Sequence, residues 1–330
     1  MLGYIISDKE EINVEKYEIK SFDILHKTNS NIFVIENNKV LYKNYIIYNA
    51  SQYGHVKVLE WFKNSGYEFK YDEDAINNAS KNGKVQVLEW FKNSGYEFKY
   101  NEEAIARASK NGHIEVLEWF KNSGYEFKYN KYAINCASGY GHIQVLDWFK
   151  NSGYEFKYDE YAINRASQNG HIQVLEWFEN TGYKFKNYNW AITFASRKGH
   201  IQVLEWFKKF GYEFNYTRYA IAMASENGHI QVLEWFKNSG YEFKYNVDAI
   251  NLASQNGYIQ VLEWFKNSGY EFKYDKLAII NAFKNRHKVL KFYNNNVNIK
   301  KLIKWSKKNI FIKTIKFKTH NKYLKGYQKN

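Results

Sequence analysis

Between residues 46 and 277 one apolar–polar phrase recurs eight times at a spacing of 29 residues. In the third copy Ala104, Ile105, Ala108 and Ser109 stand at i, i+1, i+4 and i+5. That spacing predicts a helix, here called helix A, with one stripe of small and apolar side chains that lets neighbouring helices approach closely. Asn101 just before it is a good N-cap, and Glu102 and Glu103 put negative charge in the first turn. The equivalent cap positions hold Asp72, Asn130, Asp159, Thr217, Asn246 and Asp275; Tyr188 alone breaks the series. Gly112 is expected to end helix A as a left-handed C-terminal residue. Ile114, Val116, Leu117, Trp119 and Phe120 then form the apolar set of a second helix, helix B, which Gly124 stops. Its stripe is too wide for one buried side and suits a helix held between two neighbours. The segment Tyr125–Tyr129 alternates aromatic and charged residues with period two, which predicts extended chain.

One helix pair cannot bury these faces alone. Stacked pairs can, so the period predicts an all-α solenoid stabilised by nearest-neighbour interfaces. Full copies begin at Ile46, Ala75, Ala104, Ala133, Ala162, Ala191, Ala220 and Ala249. A ninth starts at Ala278 and decays: Arg286 replaces the loop glycine, and 288–292 reads as a shortened helix B. The expected organisation is therefore three parts: 1–45 as an N-terminal cap or small module, 46–277 as the repeats, and 278–330 as a degenerate capping repeat with a basic segment. The tryptophans Trp61, Trp90, Trp119, Trp148, Trp177, Trp206, Trp235 and Trp264 mark the register. Their uniform place beside Leu and Phe points to packing rather than to a base-stacking platform.

The run Ala108-Ser109-Lys110-Asn111-Gly112-His113-Ile114-Glu115-Val116-Leu117-Glu118-Trp119-Phe120 resembles the A-A-x-x-G-H-x-x-V-V-x-x-L stretch of ankyrin repeats. Gly112 and Gly124 keep the family's spacing, whereas Glu103-Ala104-Ile105-Ala106 retains only the apolar third position of its T-P-L-H motif. The copy is 29 residues long against a family norm of about 33. The missing residues lie between helix B and the next helix A, so the resemblance implies helix pairs with shortened or missing β-hairpin fingers. It also implies a concave surface lined by helix A and a role in protein–protein interaction. Short repeats in a chain rich in Lys, Asn, Ile, Tyr and Phe further resemble the ankyrin-like proteins of giant DNA viruses. That narrower likeness implies an intracellular, cytoplasmic protein of an infected host cell with a host protein as partner.

Charge adds a second feature. After Asp275 there is no acidic residue but there are 16 Lys and Arg, while residues 1–275 hold 32 basic and 34 acidic side chains, so the net charge of +14 belongs to the C-terminal segment. Lys300, Lys301, Lys304, Lys307, Lys308, Lys313, Lys316 and Lys318 there alternate with Leu302, Ile303, Trp305, Phe311 and Phe317. Such a mixture suits phosphate or nucleic-acid binding, an anionic membrane surface, or a cap under the last repeat. The alternative function is thus nucleic-acid association through this segment. The single cysteine, Cys136, excludes an internal disulfide. The first residues lack the pattern of a secretory signal, and no apolar run approaches the length of a membrane span.

No phosphate-binding loop, zinc signature or nucleophile elbow is present, and no unique catalytic set can be assigned, so no enzyme, cofactor or metal is expected. His55, His113, His142, His171, His200 and His229 recur after the loop glycine and are expected to bond within the inter-helix turn. A partner surface must lie where the copies differ. Three helix A columns vary most: one runs from Asp74 through Glu103 to Leu277, one from Asn78 through Arg107 to Asn281, one from Lys81 to Gln255. Steps of four and three residues put them on one face. The candidate partner-binding residues there are Arg107, Tyr132, Tyr161, Arg165, Trp190, Phe194, Tyr219 and Met223, because aromatics and Arg dominate interface hot spots.

Overall fold

The computed structural model describes residues 2–7, 31–36, 39–42, 46–64, 69–185, 188–212, 216–285 and 287–296. The chain divides into two compact units, Met1–Ala191 and Ile192–Asn330.

The first unit opens with three strands, β1 (Leu2–Ser7), β2 (Asn31–Glu36) and β3 (Lys39–Tyr42), in one antiparallel sheet of order β1-β2-β3. Leu2 pairs with Glu36 and Ser7 with Asn31. The all-α expectation therefore holds for the repeats but not for residues 1–45. Ten helices follow: α1 (Ile46–Tyr53), α2 (Val56–Asn64), α3 (Glu73–Lys81), α4 (Val85–Asn93), α5 (Glu102–Lys110), α6 (Ile114–Asn122), α7 (Lys131–Gly139), α8 (Ile143–Asn151), α9 (Glu160–Gln168) and α10 (Ile172–Thr181). Odd-numbered helices are helix A and even-numbered ones helix B. Each packs on its partner and on the same helix of the next copy, as in an all-α repeat stack.

The predicted caps form. Asp72, Asn101, Asn130 and Asp159 each accept the backbone N–H two residues on. Gly112 adopts φ +77 as expected. A side chain there would be blocked as well as strained, because a Cβ would stand 2.8 Å from Nδ1 of His142. The core is the predicted stripe: Ala104, Ile105, Ala108, Val116, Leu117 and Phe120 are fully buried, as are their equivalents in the neighbouring copies.

Neighbouring copies are also joined by three polar ladders. Nε1 of Trp90, Trp119 and Trp177 donates to carboxylates of Glu60 (2.6 Å), Glu89 (2.8 Å) and Asp147 (2.6 Å), and Trp148 does the same to Glu118. The hydroxyl of Tyr129 donates to the Glu155 carbonyl at 2.6 Å and that of Tyr158 to the Lys184 carbonyl at 2.8 Å. Asn135, fully buried in α7, donates from Nδ2 to Oδ1 of the Asp159 cap at 2.6 Å. Asn164, which precedes the copy where Tyr188 replaces the cap, keeps a buried Oδ1 with no partner among the described residues, as does Asn77 although its cap Asn101 is in place. The alternating segment forms no strand. Lys128 N–H turns back to the Glu126 carbonyl at 3.0 Å, and Phe127 stacks on Tyr154 of the next copy with centroids 4.4 Å apart.

His142 and His229 correct the expectation for the histidines, whereas His113 Nδ1 meets Glu115 Oε1 at 2.9 Å within its own copy. His142 Nε2 lies 2.9 Å from the Lys110 carbonyl, a contact between copies rather than within a turn. Burial pushes the pKa of His171 down.

α11 (Asn189–Lys198) carries the division between the units. The second unit continues with α12 (Ile201–Lys209), α13 (Arg218–Glu226), α14 (Ile230–Asn238), α15 (Val247–Asn256), α16 (Ile259–Asn267), α17 (Lys276–Asn285) and α18 (His287–Asn296). The same ladders recur: Trp235 donates to Glu205, Trp264 to Glu234 at 2.5 Å, and Asn251 to the Asp275 cap at 2.9 Å.

The ninth pair differs from its prediction. α18 has ten residues and is not shortened. It is instead advanced by one residue, so Phe292 takes the place of Trp264 and Tyr293 that of Phe265. Thus Phe272 faces Phe292 at 6.0 Å, and Tyr274 faces Tyr293 at 5.6 Å. Tyr293 is fully buried and its hydroxyl meets Ser254 Oγ at 2.7 Å. Phe292 has no N–H to offer Glu263, so the indole ladder stops at this pair.

Candidate partner-binding faces on helix A

The N-caps fix where each helix A begins and therefore which side chains share a register position. The second residue of each helix A belongs to the first variable column. In the first unit this column holds Asp74, Glu103, Tyr132, Tyr161 and Trp190. Tyr132 and Trp190 are 46% and 47% exposed, well beyond what aromatic rings in a packed stack show, and Tyr161 is half-buried. Arg107 and Arg165, four residues into the same face, are less available than their sequence positions suggest. Arg107 pairs with Asp74 at 3.2 Å and with Glu103, and donates to Asn78 Oδ1 at 3.2 Å. Arg165 reaches back to Cys136 Sγ at 3.5 Å. Its stem fits against α7 because position 139 is glycine: a Cβ there would lie 2.8 Å from Cβ of Arg165. Both arginines thus bridge adjacent helix A rows. They shape the face more than they project from it.

In the second unit the same face carries Phe194, Tyr219 and Met223. Tyr219 is 44% exposed, with the Arg218 guanidinium 5.7 Å from its ring centroid; Phe194 and Met223 are half-buried. Leu277 repeats the exposed position two copies on, at 43%. The eight residues singled out from the sequence therefore divide into three exposed rings, two internal bridges and three half-buried side chains, spread over the two units.

Some surface features escaped the sequence reading. Tyr140 stands where five other copies have Asn. It is exposed, with Lys110 Nζ 4.9 Å from its ring. Phe210 replaces the serine that elsewhere accepts a turn N–H, and it stacks on Trp206 at 4.6 Å. Both substitutions sit in loops between helices, outside the columns compared. The tryptophans themselves offer no platform: Trp148 is buried, stacked on Phe127 at 5.4 Å and covered by Lys121 at 5.8 Å.

Among the described residues no group of His, Cys, Asp and Glu could hold a metal ion, and no helix is long and apolar enough to cross a membrane. Lys300, Lys301, Lys304, Lys307, Lys308, Lys313, Lys316 and Lys318 lie outside the described residues. The architecture defines a tandem-repeat protein whose repeats are all helical. No family model matches the chain, and no curated protein matches it either.

Proposed function

We propose that the chain is a non-catalytic recognition scaffold of the ankyrin-like type that binds a protein partner across its helix A faces. One observation carries the reading. At a single register position of helix A, Tyr132, Trp190 and Tyr219 hold large rings that are nearly half exposed. A rigid backbone presenting exposed aromatic anchors loses little conformational entropy on binding, which favours affinity. The test is quantitative capture of a partner by full-length chains, with Trp190, Phe194 and Tyr219 replaced together by Ala. The reading expects capture to be lost while helical content and melting are retained. Undiminished capture by the folded variant would refute it.

A second reading, nucleic-acid association through the C-terminal segment, is favoured by the 16 basic and no acidic residues after Asp275. Affinity for a single-stranded oligonucleotide should then fall steeply with salt and vanish on removal of residues 297–330.

A further inference from the structure

The second unit contains an open cleft of about 560 Å³ at the start of α13. It is lined by Thr217, Arg218 and Tyr219, by 242–245 of the following extended segment, and by Lys273 of the segment after that. Three cations thus meet a single carboxylate, Glu242.

The repeat frame shows why this charge is unusual. The position of Arg218 holds Glu73, Glu102 and Glu160 in three earlier copies. Lys131 is a cation at the same place, but it is neutralised by the next N-cap, Asp159, at 2.7 Å. The N-cap that follows Arg218 is Asn246, which carries no charge. The cap beneath the cleft is Thr217, where Asp72, Asp159 and Asp275 stand elsewhere and would repel an anion. Among the described residues neither Arg218 nor Lys244 has a carboxylate within ion-pair distance. Each lies instead over a ring, Arg218 at 5.7 Å from Tyr219 and Lys244 at 5.4 Å from Tyr216. Lys273 is 3.8 Å from Glu271 and 4.7 Å from the Tyr245 ring. The cleft therefore combines two cations outside any ion pair, Arg218 and Lys244, and a third shared with Glu271, Lys273, with the aromatic rings of Tyr219, Phe243 and Tyr245.

We infer that this cleft binds an aryl phosphate, the side chain of a phosphotyrosine in a partner peptide, with Arg218, Lys244 and Lys273 on the phosphate and the rings against its phenyl group. Arginine and lysine are the groups that hold phosphate most strongly. A benzene ring adds contact area that inorganic phosphate lacks.

The inference rests on the recognition reading only for the source of the phosphate. The free probe N-acetyl-phosphotyrosine amide tests the cleft without a partner, so the two ideas can fail separately. Titrated into the full chain and followed by calorimetry, it should bind at least about tenfold tighter than N-acetyl-tyrosine amide, as a charge-assisted contact requires. It should also bind more tightly than inorganic phosphate. R218A/K244A/K273A should lose this binding and R218K/K244R/K273R should keep it, which separates lost charge from lost structure. K99A/K128A/K157A, altered at the same frame position in the first unit, should bind as wild type. The inference is overturned if wild type does not bind, if the cleft variant binds as well as wild type, or if the control variant loses binding to the same extent. It is equally overturned if inorganic phosphate binds as tightly as the aryl probe.

Discussion

Replacing Asn135 by alanine tests whether the buried asparagines lock one copy to the next. Asn135 Nδ2 donates to Oδ1 of Asp159 at 2.6 Å, and its Oδ1 accepts the Asp159 N–H at 3.3 Å. The same Asp159 oxygen caps α9 through the Tyr161 N–H at 3.0 Å, while its other oxygen takes Lys131 at 2.7 Å. The alanine variant removes a bond to a carboxylate and strands a partly buried N–H. Together these should cost about 2–4 kcal/mol. A long array does not unfold as one unit, so a single melting midpoint would blur the effect. Amide hydrogen exchange resolves it: protection in α7 and α9 should fall by that amount while α3 and α4 stay unchanged. A cycle with Asp159→Ala should show a coupling of about 1.5–2 kcal/mol, as expected for residues in direct contact. A loss below about 0.5 kcal/mol, the scale of ordinary surface substitutions, would refute the reasoning. So would equal loss of protection throughout the chain.

Tyr188→Asp should restore the missing cap of α11, raising stability by about 0.5–2 kcal/mol in chemical denaturation. Gly112→Ala and Gly124→Ala should differ. Both glycines have positive φ, but only Gly112 faces a neighbouring side chain, so G112A should be the more destabilised by about 1 kcal/mol or more. Glu60 and Glu89 are held below the ordinary carboxylate range, chiefly by the indole N–H of Trp90 and Trp119. The folded form therefore binds protons less readily, so this stabilisation is complete above the usual carboxylate range and is lost as pH falls through the lowered values. Tryptophan fluorescence in an acid titration should report that loss, and E89Q should flatten it. Burial pushes the hydroxyls of Tyr71, Tyr100 and Tyr216 up to about 12. Their stabilisation is complete below the usual tyrosine range and is lost as pH rises through about 12, which ultraviolet titration should show as a late tyrosinate phase.

The helix pairs, their caps and their core were legible in the sequence because each depends on residues within a few positions of one another. The ladders were not, since Glu89 and Trp119 become neighbours only once two copies stack. A signal was present all the same. The residue before every repeated tryptophan is Glu or Asp in all eight copies, at an exposed helix position where drift would be expected. Uniformity at such a position marks a bond, just as it marks packing at Phe120. The strands at Leu2–Ser7 and Asn31–Glu36 are short apolar runs that periodicity cannot tell from helix. In the candidate faces, exposure of Tyr132 and Tyr219 followed from register. The inward use of Arg107 and Arg165 did not, because it depends on Asp74, Asn78 and Cys136 in the preceding copy.

Within each unit the indole bonds of Trp90, Trp119, Trp148, Trp177, Trp235 and Trp264 all run the same way, each N–H donating to a carboxylate of the preceding copy. A copy such as 104–132 is thus both plug and socket, with the same fitting on each side. Excising residues 102–130 would join Asn101 to Lys131 and leave Glu89 thirty positions from Trp148, the spacing it now has from Trp119. Within a unit, the stack can gain or lose a whole copy without a mismatched joint. The number of copies is then free to change between generations, whereas the residues at each joint are not.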